Sequence, residues 1–504
     1  MGVAAIAAYL CVAVAGPGGA ATAATPSGAG TGSPLPSLGD AAELTPGDER
    51  RLGDRIAREL YRDPDYLDDP VMADYVQGIW RPLLATARAR GELSDELYER
   101  FAWEILLGRD RSVNAFALPG GFLGLHLGLV AVVTSRDELA SVLAHELSHV
   151  TQRHISRLIT QQNRQTPLLL GAMVLGALAA SKNPGATQAL IVGGQALAIQ
   201  NQLNFSRDME READRIGYTL MEPAGFSPLG FVSMFDKLQQ ANRLNDNGSW
   251  PYLRSHPLTT QRMADMQARL PADARTAPSG QYQPEAAIMS ARARVLAQGG
   301  VDQWRQWAAE PSSPGFAQQP PARQIGAWYA AVLSRIQLRE VAGARQGVVP
   351  LRALAGQDTA LQRQVRLLAA EVELAAGQPD AALALLSAEG GARPETLLRA
   401  QALLQAGRAA EAADALQLWV SQHPRDATAW HRLAIARQAM GQTLRAVRAE
   451  AEAHAARYDY AAAVDRLKAG QDLARSSTDY VEASIIDTRL RAVESALREQ
   501  AAER

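Results

Sequence analysis

Apolar residues recur every three or four positions from Leu44 to Tyr98, a spacing that predicts amphipathic helices. Phe101 to Leu107 and Val113 to Val133 read differently. Both are strand-like, and the second is broken by Pro119-Gly120-Gly121, which predicts a small antiparallel sheet. The helical period returns at Ser135 and predicts one long helix to Gln162, opened by Ser135-Arg136-Asp137-Glu138 as a capping box. Leu139, Val142 and Leu143 form an inward stripe on that helix, and His145 and His149 share it. Pro167 to Ala180 and Ala186 to Ile199 are two apolar runs joined by Ser181-Lys182-Asn183-Pro184-Gly185. Each falls short of the roughly 20 residues needed to span a bilayer. They predict a helical hairpin near the site; a mobile lid and a surface for membrane or partner are the other readings.

Pro271 to Pro284 is rich in Pro, Gly and polar residues and marks the expected boundary between two domains. Beyond it the chain is Ala-, Leu- and Gln-rich with helical spacing. Gly407 and Gly441 stand 34 residues apart, with Ala412 and Ala446 five places after each. That is the tetratricopeptide period. Gly377 precedes Gly407 by only 30, so the units are irregular. Pro424 closes one unit, and Trp430 and Leu433 open the next. A plain helical bundle is the competing arrangement. The expected fold is mainly α: an α+β domain with a small sheet over residues 44–275, then an α-helical tetratricopeptide-repeat solenoid over 276–504.

Val3 to Ala15 is an apolar run of signal-peptide length, followed by small residues that suit cleavage near Ala23 or Ala24, although no Lys or Arg precedes it. Residues 1–24 are therefore expected to direct export to a periplasm-like compartment, and the Ser/Pro/Gly-rich stretch 25–43 to be a linker. The single cysteine, Cys11, lies in the apolar run, so disulfides, thiolate catalysis and sulfur ligation are excluded from the mature chain. A formal charge of −2 leaves no electrostatic footprint for nucleic acid.

His145-Glu146-Leu147-Ser148-His149 places two imidazoles one turn apart with a Glu between them. This pattern can hold one zinc ion, with Glu146 as general base. A third protein ligand is needed, and Glu210 can supply it. Asp214, at i+4 from Glu210, can fix the tautomer of a ligand histidine. The alternative for this acidic pair is a salt bridge to Arg207 or Arg211 on a solvated helix. His256 and Arg262 could meet the oxyanion of a tetrahedral intermediate, or His256 could fill the open metal position at rest. His126 reads as a strand histidine. His154 lies about 140° round an unbroken helix from His149 and so outside the direct ligands. His423, His431 and His454 read as solvated or structural.

His145-Glu146-Leu147-Ser148-His149-Val150 running into Arg153-His154, Glu210-Arg211-Glu212-Ala213-Asp214, Ser255-His256-Pro257 with Arg262, and Asn114-Ala115-Phe116-Ala117 before Gly120-Gly121 together resemble the HtpX and CAAX-prenyl-protease type of zinc endopeptidase, over about residues 44–270. The resemblance implies His145, His149 and Glu210 as ligands of one zinc per chain and Glu146 as the base. It also implies Asn114, Phe116, Gly120 and Gly121 at the substrate. With an export signal in front and repeats behind, the chain looks like the periplasmic branch, linked to quality control and assembly of outer-membrane β-barrel proteins. Misfolded or stalled outer-membrane proteins are the implied substrates, and the β-barrel assembly machinery is the implied partner of the repeats. Two rival readings are a chaperone or adaptor acting through its repeats, and a membrane-associated protease using residues 167–199.

Overall fold

The computed structural model describes residues 44–161, 206–243, 250–271, 283–297, 299–386 and 391–501. The expected export signal, the linker and the two apolar runs at 167–199 lie outside the described residues. No helix among the described residues is long and apolar enough to cross a membrane.

The first half runs α1 (Pro46–Arg62), β1 (Tyr66–Leu67), α2 (Pro70–Ala89), α3 (Asp95–Arg100), β2 (Glu104–Gly108), β3 (Ala115–Leu118), β4 (Phe122–His126), α4 (Leu127–Val132), α5 (Arg136–Thr151) and α6 (His154–Gln161). It continues with α7 (Arg207–Met221), α8 (Leu229–Arg243), α9 (Tyr252–Ser255) and α10 (Thr260–Arg269). Thr45 and Asp48 form a reciprocal capping box at α1, and Asp69 caps α2, each followed by Pro at the first helical position.

The sheet is four-stranded in the order β1-β2-β4-β3, and it is mixed, not antiparallel throughout. β2 and β4 run parallel, with Glu104 opposite Phe122, while β3 and β4 are antiparallel, with Phe116 opposite Gly124. The chain leaves β2, lays β3 at the edge, and turns back through Pro119–Gly121 to put β4 in between. Strand-like composition carries no information about such a crossover. The strand expected to reach Val133 also stops early, because Leu127–Val132 coils into α4. A short run that is apolar on every side suits a buried helix as well as a buried strand.

The long helix expected from Ser135 to Gln162 is two helices. α5 ends at Thr151, Gln152 caps it, and Arg153 adopts a left-handed φ of 52° before α6 begins. Ser135 caps α5 through the Glu138 amide. The Glu138 carboxylate turns instead to Thr134, Ser233 and Lys237, whose Nζ lies 2.6 Å away. Every residue from Glu138 to Thr151 is buried. α5 is thus the central helix, packed by α2, β3, α7 and α8. This explains why its apolar stripe is only part of its buried surface.

Among the described residues twelve α-helices follow: α11 (Pro284–Leu296), α12 (Val301–Ala309), α13 (Pro321–Gln337), α14 (Val341–Ala355), α15 (Thr359–Ala375), α16 (Pro379–Leu385), α17 (Arg393–Gln405), α18 (Ala409–Gln422), α19 (Ala427–Ala439), α20 (Thr443–Ala455), α21 (Tyr460–Ala474) and α22 (Tyr480–Ala501). Gly377, Gly407 and Gly441 each end one helix with φ near +70° (66°, 74° and 71°), the conformation that lets a helix stop and the next turn back. The short interval after Gly377 arises because α16 has seven residues where α18 has fourteen. One apolar core runs from Leu67 through α2, the sheet and α5 into α11, α13, α15 and on to Ala402, so the packing is continuous across residue 275.

Three arginines tie the repeat helices to the start of α2. Arg292 reaches Asp69 and Glu371, Arg363 reaches Asp74 and Glu395, and Arg393 reaches Asp68 and Asp426. Each guanidinium thus bridges one carboxylate of the first half and one of the repeats. Tyr458, between α20 and α21, closes the same arrangement against Leu52, Ile56 and Phe122.

Candidate metal centre

α5 supplies His145 and His149, and α7 supplies Glu210 and Asp214. Gly217 on α7 eases their meeting: a Cβ there would stand 3.1 Å from the Ala144 carbonyl, so the lack of a side chain lets the two helices approach closely. Ser206 caps α7 and directs Glu210, at the end of its first turn, toward α5. His256 follows directly after α9, whose Tyr252 amide donates to the Val113 carbonyl just ahead of β3.

Four donor atoms converge. His149 Nε2 lies 3.0 Å from His145 Nε2, and His256 Nδ1 lies 3.3 Å from the same atom. Glu210 Oε1 is 3.0 Å from His256 Nδ1 and 3.4 Å from His149 Nε2. All four side chains are buried, and they form a group able to hold a metal ion. A tetrahedral ion with bonds of about 2.0–2.1 Å places its donors about 3.3 Å apart, close to the four distances just given, and all four donor atoms lie within 4.8 Å of one another. Glu210 Oε2 is buried without a hydrogen bond among the described residues, although Arg262 Nη1 comes within 2.7 Å off the hydrogen-bond direction. The guanidinium holds Oε2 on one side and leaves Oε1 to join the imidazole nitrogens, a donor set of three nitrogens and one oxygen. The residues therefore fit a metal.

The surrounding hydrogen bonds orient the donors. Asp214 Oδ1 is 2.9 Å from His145 Nδ1. Arg262 donates twice to Asp214, at 2.6 and 2.8 Å, and once to the Pro257 carbonyl. Its guanidinium is thus committed to the acids behind the site. Burial disfavours the charged His145, but Asp214 and Glu210 outweigh it and raise the imidazole to about 10. Burial pushes Glu210 up, yet His256, His145 and His149 hold it well below the usual carboxylate range. His149, with burial dominant, is held well below the ordinary imidazole value.

Glu146 stands beside the donors. Its Oε2 accepts from the Ala117 amide at 2.9 Å, and its Oε1 is 3.5 Å from His256 Nε2. Burial raises its pKa against the opposing pull of His256 and His145. The Ala117 N–H points away from β4 to Glu146, so the edge of β3 that no described strand pairs lies beside the metal centre.

The other residues expected at the substrate separate. Asn114 is buried at the start of β3, with its Oδ1 unpartnered among the described residues. Phe116 lies on the opposite face of the sheet with the Leu52, Ile56 and Phe122 cluster, its ring edge-on to His126. Gly120 and Gly121 pack against α1 and Phe101: a Cβ at Gly120 would meet the Arg50 Cα at 2.7 Å. Their glycine character serves that close approach. Tyr252, which sequence reasoning passed over, stacks on the His256 ring at 4.6 Å between centroids. No spacing motif marks it.

Residues 84–270 match the model of Peptidase family M48, and residues 393–436 match a tetratricopeptide repeat. The putative beta-barrel assembly-enhancing protease of Vibrio cholerae is 35% identical over 271 residues, 53% of each chain. The beta-barrel assembly-enhancing protease of Escherichia coli is 29% identical over 432 residues, 84% of this chain and 83% of that protein. The mitochondrial metalloendopeptidase OMA1 of Saccharomyces cerevisiae is 26% identical over 201 residues, 39% of this chain and 55% of that protein. The chain thus spans about half the length of the Vibrio cholerae relative and most of the Escherichia coli one. The matched segment contains the whole donor set, and the repeat match falls on α17 to α19 behind it: the chain is similar to Peptidase family M48 over residues 84–270 and to a tetratricopeptide repeat over residues 393–436.

Proposed function

We propose that this chain is a zinc-dependent endopeptidase of the periplasm that acts in quality control and assembly of outer-membrane β-barrel proteins. The convergence of His145, His149, Glu210 and His256 beside the Glu146 carboxylate carries the reading. Three nitrogens and one carboxylate oxygen drawn together within 4.8 Å suit zinc, and the mature chain has no thiolate to offer. Zinc, when bound, polarises the scissile carbonyl and lowers the pKa of the attacking water toward about 7.

Glu146 would take the proton of that water at Oε1, which makes no hydrogen bond among the described residues, and pass it to the leaving amine. An extended substrate adds along the free edge of β3, and Ala117 then exchanges Glu146 for a substrate carbonyl. A hydrolytic zinc keeps a position open for water, and here four protein donors surround the point. His256 is the donor to give way, since it sits on a short segment held by α9 while the others lie on packed helices. At rest it blocks the centre; displaced, it can meet the developing oxyanion. Arg262, committed to Asp214 and Pro257, holds the acids in place.

The names of the bacterial relatives support β-barrel precursors as substrates, and the repeats then serve as the docking region for the assembly machinery. The apolar N-terminal run supports export. Zinc content and cleavage of an unfolded β-barrel protein, compared in wild type and Glu146→Gln, test the reading. The variant should keep zinc and lose cleavage by about 10²–10⁴-fold. Full cleavage by Glu146→Gln would remove the proposed base, and full cellular function without cleavage would favour an adaptor acting through the repeats. Carbonate extraction of the membrane fraction separates a membrane-embedded protease using residues 167–199, which would resist it, from a soluble one.

A further inference from the structure

We infer that His154 is the positioning residue that sets the tautomer of the metal ligand His149, with Glu212 setting His154 in turn. This rests on the metal reading above and adds a relay to it.

The backbone break is the first observation. On one continuous helix, His154 would point about 140° away from His149. The left-handed Arg153 between α5 and α6 swings the ring back, so that the two Nδ1 atoms lie 2.8 Å apart and the ring centroids 4.9 Å apart. A residue with a side chain adopts that conformation only at an energetic cost and keeps it when its surroundings enforce it. Arg153 is so enforced. Its guanidinium donates to the buried Glu49 at 3.1 Å, to Ser156 at 3.2 Å and to the Leu44 carbonyl.

The second observation is proton logic. His149 Nε2 faces the other donors, so it must be bare to bind a metal. Its proton then sits on Nδ1 and is donated to His154 Nδ1. That leaves the His154 proton on Nε2, where Glu212 Oε2 receives it at 3.1 Å. Arg157 Nη1 holds the same carboxylate oxygen at 3.0 Å. A ligand imidazole ordinarily gives its second N–H to a carboxylate, carbonyl or water. His145 does so directly through Asp214. His149 does so one imidazole removed, and Glu212 lines a cavity of about 380 Å³ that also reaches Asp214.

The test uses the purified full chain and measures zinc affinity by chelator competition, the visible spectrum with cobalt(II), and the melting temperature without metal. His154→Phe keeps a ring and removes the acceptor; it should bind zinc about 10–100-fold more weakly and alter the cobalt spectrum. His154→Asn returns an acceptor near the former Nδ1 and should recover most of the affinity. Glu212→Ala, at a half-buried position, should weaken binding in the same direction without lowering the metal-free melting temperature to match. Wild-type affinity in His154→Phe, or equal losses in His154→Phe and His154→Asn tracking a lowered metal-free melting temperature, would overturn the relay alone. A wild-type chain that binds no zinc would instead remove the metal reading beneath it.

Discussion

Asp214 Oδ1 lies 2.9 Å from His145 Nδ1 while both of its oxygens are gripped by Arg262. One carboxylate thus fixes a ligand tautomer and is itself fixed by an arginine whose remaining donor holds the loop after His256. Asp214→Asn should retain the shape and lose the charge, weakening metal binding by about 10–100-fold. Arg262→Lys should act in the same direction, because an ammonium cannot reproduce the two-pronged contact. Chelator competition on both variants checks this.

His256→Ala leaves His145, His149 and Glu210 in place and frees the fourth position. Basal cleavage of an unfolded protein should rise, with a modest loss of zinc affinity. Unchanged or lower cleavage, with zinc still bound, would argue against His256 as the resting block.

Gly217 bears on Glu210 without touching it. A leucine there meets the Ala144 backbone and must push α7 from α5. Overpacking of this kind costs about 1–3 kcal/mol. Gly217→Leu should therefore lower both the melting temperature and zinc affinity, whereas Gly217→Ala should be mild, since its contact at 3.1 Å asks for a shift of tenths of an ångström.

Asp68 links α2 to the repeats. Burial pushes its pKa up, but Arg393 and Thr428 prevail and hold it below the ordinary value. A carboxyl with a depressed folded pKa stabilises fully above its unfolded value of about 4 and loses that contribution as pH falls below it. Asp68→Asn should cost about 1–3 kcal/mol at neutral pH, and the gap to wild type should close below about pH 4. Thermal melts of both proteins across that range provide the measurement.

The sequence carried the donors better than their surroundings. His145 and His149 are legible because one helical turn fixes their relation, and Glu210 and Asp214 because the same turn recurs. Their meeting is not a matter of spacing: it depends on α7 lying close along α5, which Gly217 permits and no periodicity announces. The break at Arg153 was invisible because neither Gly nor Pro marks it. Tyr252 has no motif. The parallel pairing of β2 with β4 was missed because four- and five-residue strands show which face is apolar but not which neighbour they take. The Gly407 and Gly441 turns were legible, since a positive φ selects glycine. The Arg292, Arg363 and Arg393 bridges were not, because their partners in the first half lie 223 to 325 residues away among many equivalent charges.

Those bridges bear on any attempt to treat the chain as two exchangeable parts. Repeats transplanted behind a foreign protease would bring three guanidinium groups and find no carboxylates waiting for them. A client competing for that surface would first have to evict the chain's own α2, so the approach to the repeats must come from another side.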